Sequence, residues 1–389
     1  MRFGGKVPLA WKNLVEHKPR LLASTAGVAF AAALMFMENG FRQAILDSMV
    51  DVIERIDGQV VLVSRTLYTL AVPYSFPMER VVQARGVEGV ASASPLYTVA
   101  QTSFWRNPET GREQRVRVIG YAPADDLLDL PELREARDLW SRPNTVMADE
   151  LSRVARFGVF QAGQVSELAG KRFEVVGTFS LGIDIQTNGN MVVSDRNMMT
   201  AFPDLDGPSL LDRKVQIGVI RTKPGADPRR VRDALAATLP PDVRALTLDD
   251  FAARERGFWD KVAPIGTVFH IGVVMGFVVG SVICYQVLYS DVSDRLPEFA
   301  TLKAIGHSNA ALYRVVLAQA LYLALLGYAA GAAVSYFLFR AVHRMTGLPM
   351  DLYHNNPYII LALTVLMCLG AGAYAARRLI SADPAQLFA

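Results

Sequence analysis

The sequence has few of the residues that bind metals or form disulfides. It contains two cysteines and five histidines among 389 residues. Cys284 and Cys368 both fall inside apolar runs, where a cysteine usually acts as a small packing residue. The histidines are scattered along the chain and do not suggest a metal site. Because no disulfide framework can be drawn, the cysteines do not identify the compartment.

Catalytic and nucleotide-binding motifs are also missing. No segment matches the phosphate-binding pattern G-x-x-x-x-G-K-[ST], since residues 5–7 and 170–172 lack the upstream glycine and the hydroxyl residue that holds magnesium. No paired carboxylates or Ser/His arrangement suggests an active site. The formal net charge of +3 is too small to favour nucleic-acid binding. We therefore expect a non-catalytic chain without metal or cofactor that does not itself hydrolyse ATP.

Long apolar runs are what the sequence does contain. The mean hydropathy is +0.23, and 51% of the residues are hydrophobic while 20% are charged, a mixture typical of apolar spans combined with a water-exposed domain. A helix needs roughly 17 to 25 apolar residues to cross a bilayer. The first run has no small-residue cleavage site and is predicted to be an uncleaved span rather than a signal peptide. The predicted spans are 21–42, 262–289, 310–340 and 358–376.

The positions of lysine and arginine predict the orientation of these spans. Basic residues occur in segments 1–20, 290–309 and 377–389, and the positive-inside rule places all three in the cytoplasm. Two arginines near the loop 341–357 oppose the rule. Alternation of the spans nevertheless places that loop outside.

The region 43–261 is then a domain outside the membrane. At roughly 220 residues it exceeds the ~100 to 150 residues of a usual domain, and its pattern suggests two small α+β units. Val-rich and Ile-rich segments predict strands, and a glycine-rich region at 140–203 predicts an inserted β-rich lobe. Asp227 is the expected N-cap of one helix. The predicted strands are 59–64, 115–121, 173–178 and 216–221, and the predicted helices are 78–84 and 228–237.

Glycines recur at helical spacing in the second span. Gly272, Gly276 and Gly280 form a smooth strip along one face, on which another helix backbone can approach closely. Such a strip serves either helix packing within one subunit or contact between two copies of the chain, and the sequence leaves both alternatives open.

The segment between the second and third spans carries the most specific pattern, SDVSDRLPEFATLKAIG over residues 290–306. It resembles the loop of the FtsX-like, MacB-like ABC transporter permeases, where Arg, Glu and an apolar residue precede Leu-Lys/Arg-Ala-Ile/Leu-Gly. Together with LAWKNL at 9–14 and ARRLISADPAQLF at 376–388, it is most similar to the DevC branch, the permeases of DevBCA-type exporters.

The resemblance implies a fold and a set of partners. The fold is an α-helical membrane protein with four transmembrane helices and a large α+β periplasmic domain, MacB-like with porter and sabre lobes, between helices 1 and 2. Two copies of the chain, a homodimer in the bacterial inner membrane, would pair with two copies of a separate ABC ATPase subunit. A periplasmic adaptor (membrane fusion) protein and an outer-membrane duct would complete the assembly.

The resemblance also implies that the loop 290–309 is a coupling helix docked on the ATPase. Proline at position 297 predicts that the helix begins there, with the proline in its first turn, and Gly306 is expected to end it. The ATPase-coupling residues implied for this chain are the docking residues Arg295, Glu298, Leu302 and Lys303, together with Gly306 at the helix end.

Three functions are compatible with the sequence. The first is the permease subunit of a tripartite ATP-driven exporter that expels an amphiphilic or lipid-like substance. The second is an FtsX-like signalling subunit, which transmits ATP-driven motion to a periplasmic enzyme without transport. The third is a membrane-anchored scaffold.

Overall fold

The computed structural model describes residues 9–16, 18–72, 74–261, 264–306, 308–346, 348, 350 and 357–381. The predicted basic residues before position 9, part of the predicted loop 341–357 and the predicted tail beyond residue 381 lie outside the described residues. The chain divides into a helical unit (Met1–Ala44, Ile265–Arg344 and Met350–Ala389) and a sheet unit (Ile45–Pro264 and Met345–Pro349).

The helices in chain order are α1 (Leu9–Glu16), α2 (Lys18–Glu54), α3 (Glu79–Ala84), α4 (Pro131–Glu135), α5 (Arg137–Trp140), α6 (Val154–Phe157), α7 (Asp195–Ala201), α8 (Pro228–Thr238), α9 (Leu248–Lys261), α10 (Ile265–Asp294), α11 (Leu296–Ala304), α12 (Asn309–Thr346) and α13 (Pro357–Ser381). The strands are β1 (Val60–Ser64), β2 (Phe76–Pro77), β3 (Val90–Val99), β4 (Phe104–Arg106), β5 (Glu113–Arg115), β6 (Arg117–Tyr121), β7 (Thr145–Asp149), β8 (Val165–Leu168), β9 (Lys171–Phe179), β10 (Asn190–Ser194), β11 (Lys214–Val215), β12 (Ile217–Thr222) and β13 (Val243–Thr247).

Four helices in the described part of the chain are long and apolar enough to cross a membrane, and they confirm the four predicted spans. They are Lys18–Glu54, Gly266–Asp294, Asn309–Met345 and Pro357–Arg377. The helices α2, α10 and α12 continue beyond the predicted ends of their spans. Hydropathy marks only the apolar part of a helix, and polar residues beyond that part stay helical in water or at the headgroups.

The four long helices of the helical unit share one core. Val28 of α2, Leu288 of α10, Ala320 of α12 and Met367 of α13 belong to a single buried cluster. Small residues are frequent in this cluster, which allows the helices to approach closely, as is usual where helices pack in a membrane.

The sheet unit is built on one continuous sheet whose strand order is β13-β1-β12-β3-β6-β10-β7-β9-β8-β4-β5. Both faces are covered. Val60 and Leu62 of β1 pack on one side with α3, α7 and α8, and Val61 and Val63 pack on the other with the end of α2 and with α9. Because successive strand residues point to opposite faces, this double cover explains why β1 is apolar without alternation.

The two α+β units that the sequence suggests share one sheet, because β3 pairs with β6 and joins both halves. The β-rich half also begins earlier than the predicted residue 140. Its strands β4 and β5 lie at 104–106 and 113–115 and attach through Trp105, which is paired with Leu168. These strands have only three residues each, shorter than the runs of roughly four to eight residues by which a strand is recognised.

The predicted elements elsewhere in the sheet unit are confirmed within about two residues, the usual uncertainty of element ends. The expected N-cap is also confirmed, because the Asp227 side chain accepts a hydrogen bond from the backbone N–H of Arg229 at 3.0 Å. Pro228 follows in the first turn of α8, where its missing N–H costs no helical bond.

A buried carboxylate fixes the loop between β9 and β10. Asp149, fully buried at the end of β7, accepts hydrogen bonds from the backbone N–H groups of Leu181 and Gly182 at 3.2 and 3.0 Å and from Asn190 Nδ2 at 2.8 Å. Burial raises the pKa of Asp149, although these hydrogen bonds oppose the shift. Asp149 therefore holds the start of this loop, and Asp184 within the loop accepts hydrogen bonds from the backbone N–H groups of Gln186 and Thr187 at 2.7 and 2.8 Å.

Candidate coupling site

The short helix α11 lies in the chain between the spans formed by α10 and α12, at the segment predicted to be a coupling helix. Its first turn contains Pro297, as predicted, and Glu298, whose negative charge is favourable at a helix N-terminus. At the other end Gly306 has φ +103°, a left-handed conformation that favours glycine. Its N–H donates to Lys303 O at 3.1 Å, so Gly306 ends the helix as predicted.

Arg295, between α10 and α11, points into the helical unit. Its side chain is only 7% exposed, and its guanidinium contacts three carboxylates from three helices. Nη1 lies 3.0 Å from Glu16 Oε2 and 3.6 Å from Glu298 Oε2, while Nε lies 3.5 Å from Asp291 Oδ1. Burial lowers the pKa of Arg295, but the hydrogen bond to Glu16 and the charges of Asp291 and Glu298 outweigh it, so the pKa is raised.

A second arginine joins the same cluster. Arg20, in the first turn of α2, pairs with Asp294 at 2.7 Å and lies 3.8 Å from Asp291. The buried Gln319 of α12 donates to Asp291 Oδ2 at 3.3 Å. The carboxylate of Asp291 therefore has polar partners on α2 and α12 and in Arg295. We call these residues the ion-pair cluster: Glu16, Arg20, Asp291, Asp294, Arg295, Glu298 and Gln319.

One face of α11 is open to solvent. Pro297, Thr301 and Ile305 are exposed, and their spacing of four residues places them on one side of a helix. Glu298 lies beside them with 65% of its side chain exposed, and Ile305 is 74% exposed. We call Pro297, Glu298, Thr301 and Ile305 the open face of α11.

The predicted docking residues fall into different positions. Glu298 belongs to both the open face and the ion-pair cluster, whereas Arg295 lies only in the ion-pair cluster. Lys303 is half-buried and lies about 200° around the helix from Thr301. Leu302 is within α11, and its side chain lies outside the described residues. The prediction did not include Ile305, although its spacing from Thr301 could have identified it.

The glycine strip of α10 faces other helices of the same chain. A Cβ added at Gly272 would meet the side chain of Glu38, and one at Gly276 would lie 3.0 Å from Met35 Cγ. At Gly280 it would lie 2.6 Å from Ala31 Cβ and would also collide with Met367. These contacts favour packing within one subunit, the first of the two alternatives for this strip.

The family models match most of the chain. A model described as the MacB-like periplasmic core domain matches residues 21–238, more than half of the sequence. A model described as the FtsX-like permease C-terminal matches residues 271–384, which includes α11. The chain belongs to the FtsX-like, MacB-like permease family. This family is of the ABC transporter permease type, is generally non-catalytic and implies a partner ABC ATPase.

Three solved domains are similar to about half of the chain. The extracellular domain of the noncanonic ABC-type transporter YknZ from Gram-positive bacteria is 15% identical, with a TM-score of 0.35 over 49% of this chain and 98% of that one. The periplasmic region of MacB from Actinobacillus actinomycetemcomitans is 11% identical, with a TM-score of 0.35 over 51% and 92%. A domain of a putative permease protein from Porphyromonas gingivalis is 17% identical, with a TM-score of 0.33 over 50% and 90%. No curated protein matches the chain.

The permease is thus a membrane protein with four apolar helices and a large MacB-like domain placed between the first helix and the others. Membership in the family also agrees with an extracellular location of that domain. Among the described residues, no group of three or more His, Cys, Asp or Glu side chains is arranged to hold a metal ion.

Proposed function

We propose that this permease is the membrane subunit of a tripartite ATP-driven exporter of the DevC branch, which expels an amphiphilic or lipid-like substrate from a bacterial inner membrane. The observation that carries the proposal is the open face of α11, a short helix between two membrane spans with an exposed carboxylate and an exposed isoleucine. At the position where the resemblance implies a coupling helix, this face offers an ATPase one accessible apolar side chain and one accessible carboxylate.

The open face gives the proposed ATPase contact its chemistry. Glu298 would accept a charge-assisted hydrogen bond from a basic side chain of the ATPase, and Ile305 would enter an apolar pocket, the role that the family pattern implies for Leu302. The geometry favours Glu298 and Ile305 over Arg295 and Lys303 as contact residues, because the latter two point away from the open face. Gly306 contributes by ending the helix.

The connections of α11 suggest how motion would reach the other side of the membrane. Helix α11 follows α10 after a single residue, and α10 in turn follows α9 of the sheet unit in the chain. ATP-driven movement of α11 would displace the end of α10, and the spans would pass this displacement to the sheet unit. We further propose that two copies of the permease assemble with two ATPase subunits, and that an adaptor (membrane fusion) protein and an outer-membrane duct continue the export path.

The central experiment tests for a separate ATPase. Affinity purification of the tagged permease from its native membranes is expected to recover an ABC ATPase subunit, and phosphate release is expected only when that subunit is present. The permease alone should release no phosphate above background, because the sequence has no phosphate-binding loop. ATP hydrolysis by the lone permease, or repeated purification without any ATPase, would contradict the proposal.

Export is tested separately in cells. Efflux of amphiphilic dyes and lipids is measured in strains with and without the permease gene. Loss of efflux in the deletion strain would support the exporter. Unchanged efflux together with altered cell-wall hydrolysis would favour the FtsX-like signalling alternative.

The topology gives a further expected outcome. In a Cys284→Ala, Cys368→Ala background, Ser209→Cys of the sheet unit should react with a membrane-impermeant thiol reagent in intact spheroplasts. Ser308→Cys, between α11 and α12 and outside the open face, should react only after the membrane is permeabilised. Both positions are solvent-exposed, so burial does not explain a difference. The reverse labelling pattern would invert the proposed orientation.

A further inference from the structure

The ion-pair cluster connects α11 to the N-terminal helix α1, which sequence reasoning did not relate to the coupling segment. Of the three carboxylates that contact Arg295, the nearest is Glu16, the last residue of α1, at 3.0 Å. Helix α1 has a second contact in the same unit, where the rings of Trp11 and Tyr322 pack edge to face with centroids 5.4 Å apart. Helix α1 therefore contacts the other helices of this unit near both of its ends.

The contacts of Arg295 differ in strength. Its Nη1 atom is shared between Glu16 at 3.0 Å and Glu298 at 3.6 Å, and Glu298 is the more distant and mostly exposed of the two. A basic group of the ATPase could draw Glu298 away, while Arg295 would keep its contacts with Glu16 and Asp291. The loss of one buried charge contact is tolerable only while the others remain, because an uncompensated buried charge is strongly destabilising.

We propose that Arg295 is a positioning residue that ties the coupling helix α11 to α1 through Glu16 and to the end of α10 through Asp291, so that α1 moves together with α11 during the ATPase cycle. This inference rests on the proposed coupling function of α11. It assigns to α1 the role of a second moving element on the cytoplasmic side.

The tie is tested first on the full permease in detergent, without any ATPase. Amide hydrogen exchange of α1, measured by mass spectrometry, reports local opening of this helix. Glu16→Ala and Arg295→Gln should each speed its exchange about fivefold, and the double variant should add little more, because residues in one ion-pair network are non-additive. In Arg295→Lys the exchange rate of α1 should lie between the rates of these variants and of wild type, because lysine keeps the charge but not the forked geometry of arginine.

Arg314→Gln is the matched control. Arg314 is an exposed arginine in the first turns of α12 whose side chain donates to Ala310 O of its own helix at 3.2 Å, so its loss should leave the exchange of α1 unchanged. Equal exchange rates of α1 in Arg295→Gln, Glu16→Ala and wild type would show that Arg295 does not hold α1 in place through Glu16. This result does not depend on whether an ATPase partner exists.

The joint movement is tested with the co-purified ATPase. Vanadate trapping after ATP addition should change the exchange of both α1 and α11 in wild type. In Glu16→Ala the change at α11 should persist while the change at α1 is lost, a result that a merely stabilising role of Glu16 would not produce. An equal ATP-dependent change at α1 in Glu16→Ala would overturn the proposal. If no ATPase binds wild-type permease, the proposed function fails, and the exchange of the lone chain still decides the tie.

Discussion

Replacing Glu298 by lysine is expected to lower the recovery of the ATPase with the purified permease at least tenfold. A charge-assisted hydrogen bond contributes about 1.5 to 3 kcal/mol, and the reversed charge also repels the basic partner. Folding should change little, because 65% of the Glu298 side chain is exposed and Arg295 keeps its two closer carboxylate partners, Glu16 at 3.0 Å and Asp291 at 3.5 Å. ATPase recovery is measured by quantitative co-purification from strains with equal permease levels.

Two controls separate loss of docking from other effects. Glu298→Gln removes the charge without reversing it and should give a smaller loss than lysine. Glu135→Lys makes the same charge reversal at an exposed position of α4 in the sheet unit and should leave recovery at the wild-type level. A similar loss for Glu135→Lys would point to a general effect of charge on expression or purification.

The apolar part of the open face provides an independent variant. Ile305→Asp should weaken ATPase recovery to a similar extent as Glu298→Lys, because an exposed isoleucine contributes little to the fold of the free permease and much to a desolvated contact. Leu302→Asp is expected to act in the same direction. Normal efflux with normal ATPase recovery in Glu298→Lys, Leu302→Asp and Ile305→Asp would exclude α11 as the coupling helix.

The bounds of α11 could be predicted from the sequence because its signals are local. Proline at position 297 can occupy only the first turn of a helix, and Gly306 readily adopts the left-handed conformation that ends one. The four spans could also be predicted from the sequence, because each is a continuous apolar run. Local propensity and hydropathy therefore predict the bounds of α11 and its position between spans, whereas its coupling role is implied by the family resemblance alone and stays a proposal.

The orientation of Arg295 could not be predicted in the same way. Its partner Glu16 lies 279 residues away in the chain, and Arg20 and Asp294 are 274 residues apart. A charged motif residue in a loop is normally expected to face water, and only the packed helices show that this one is buried. The family pattern located Arg295 without distinguishing a docking residue from a positioning residue.

The sheet illustrates the same limit on a larger scale. Strands β1, β9 and β12 were predictable because they are rich in β-branched residues. The pairing of β3 with β6, which joins the two halves, involves only residues 97–99 and 118–120 and has no signal of its own. Pairing between strands depends on which surfaces meet after folding, and a single sequence does not contain that information explicitly.

The glycines of the helical unit lead to the second large expected effect, at Gly331 of α12. A Cβ at this position would lie 2.8 Å from Ala29 O and 3.2 Å from Ala33 N, both backbone atoms of α2. Backbone atoms cannot turn aside as a flexible side chain can, so the two helices would have to separate. Gly331→Val is expected to lower the stability of the helical unit by about 1 to 3 kcal/mol or more, as overpacking of a close contact does.

Gly370 of α13 is the matched control for this prediction, because a Cβ added there meets nothing within 4 Å. Gly370→Val makes the same substitution in another membrane helix and should leave stability nearly unchanged. The midpoint of thermal aggregation in detergent is compared for the two variants and wild type, together with the yield of monodisperse protein. Because both variants lose a glycine from a membrane helix, only the approach of α2 to α12 distinguishes them. Equal midpoints for Gly331→Val and Gly370→Val would show that these two helices are not in backbone contact at Gly331.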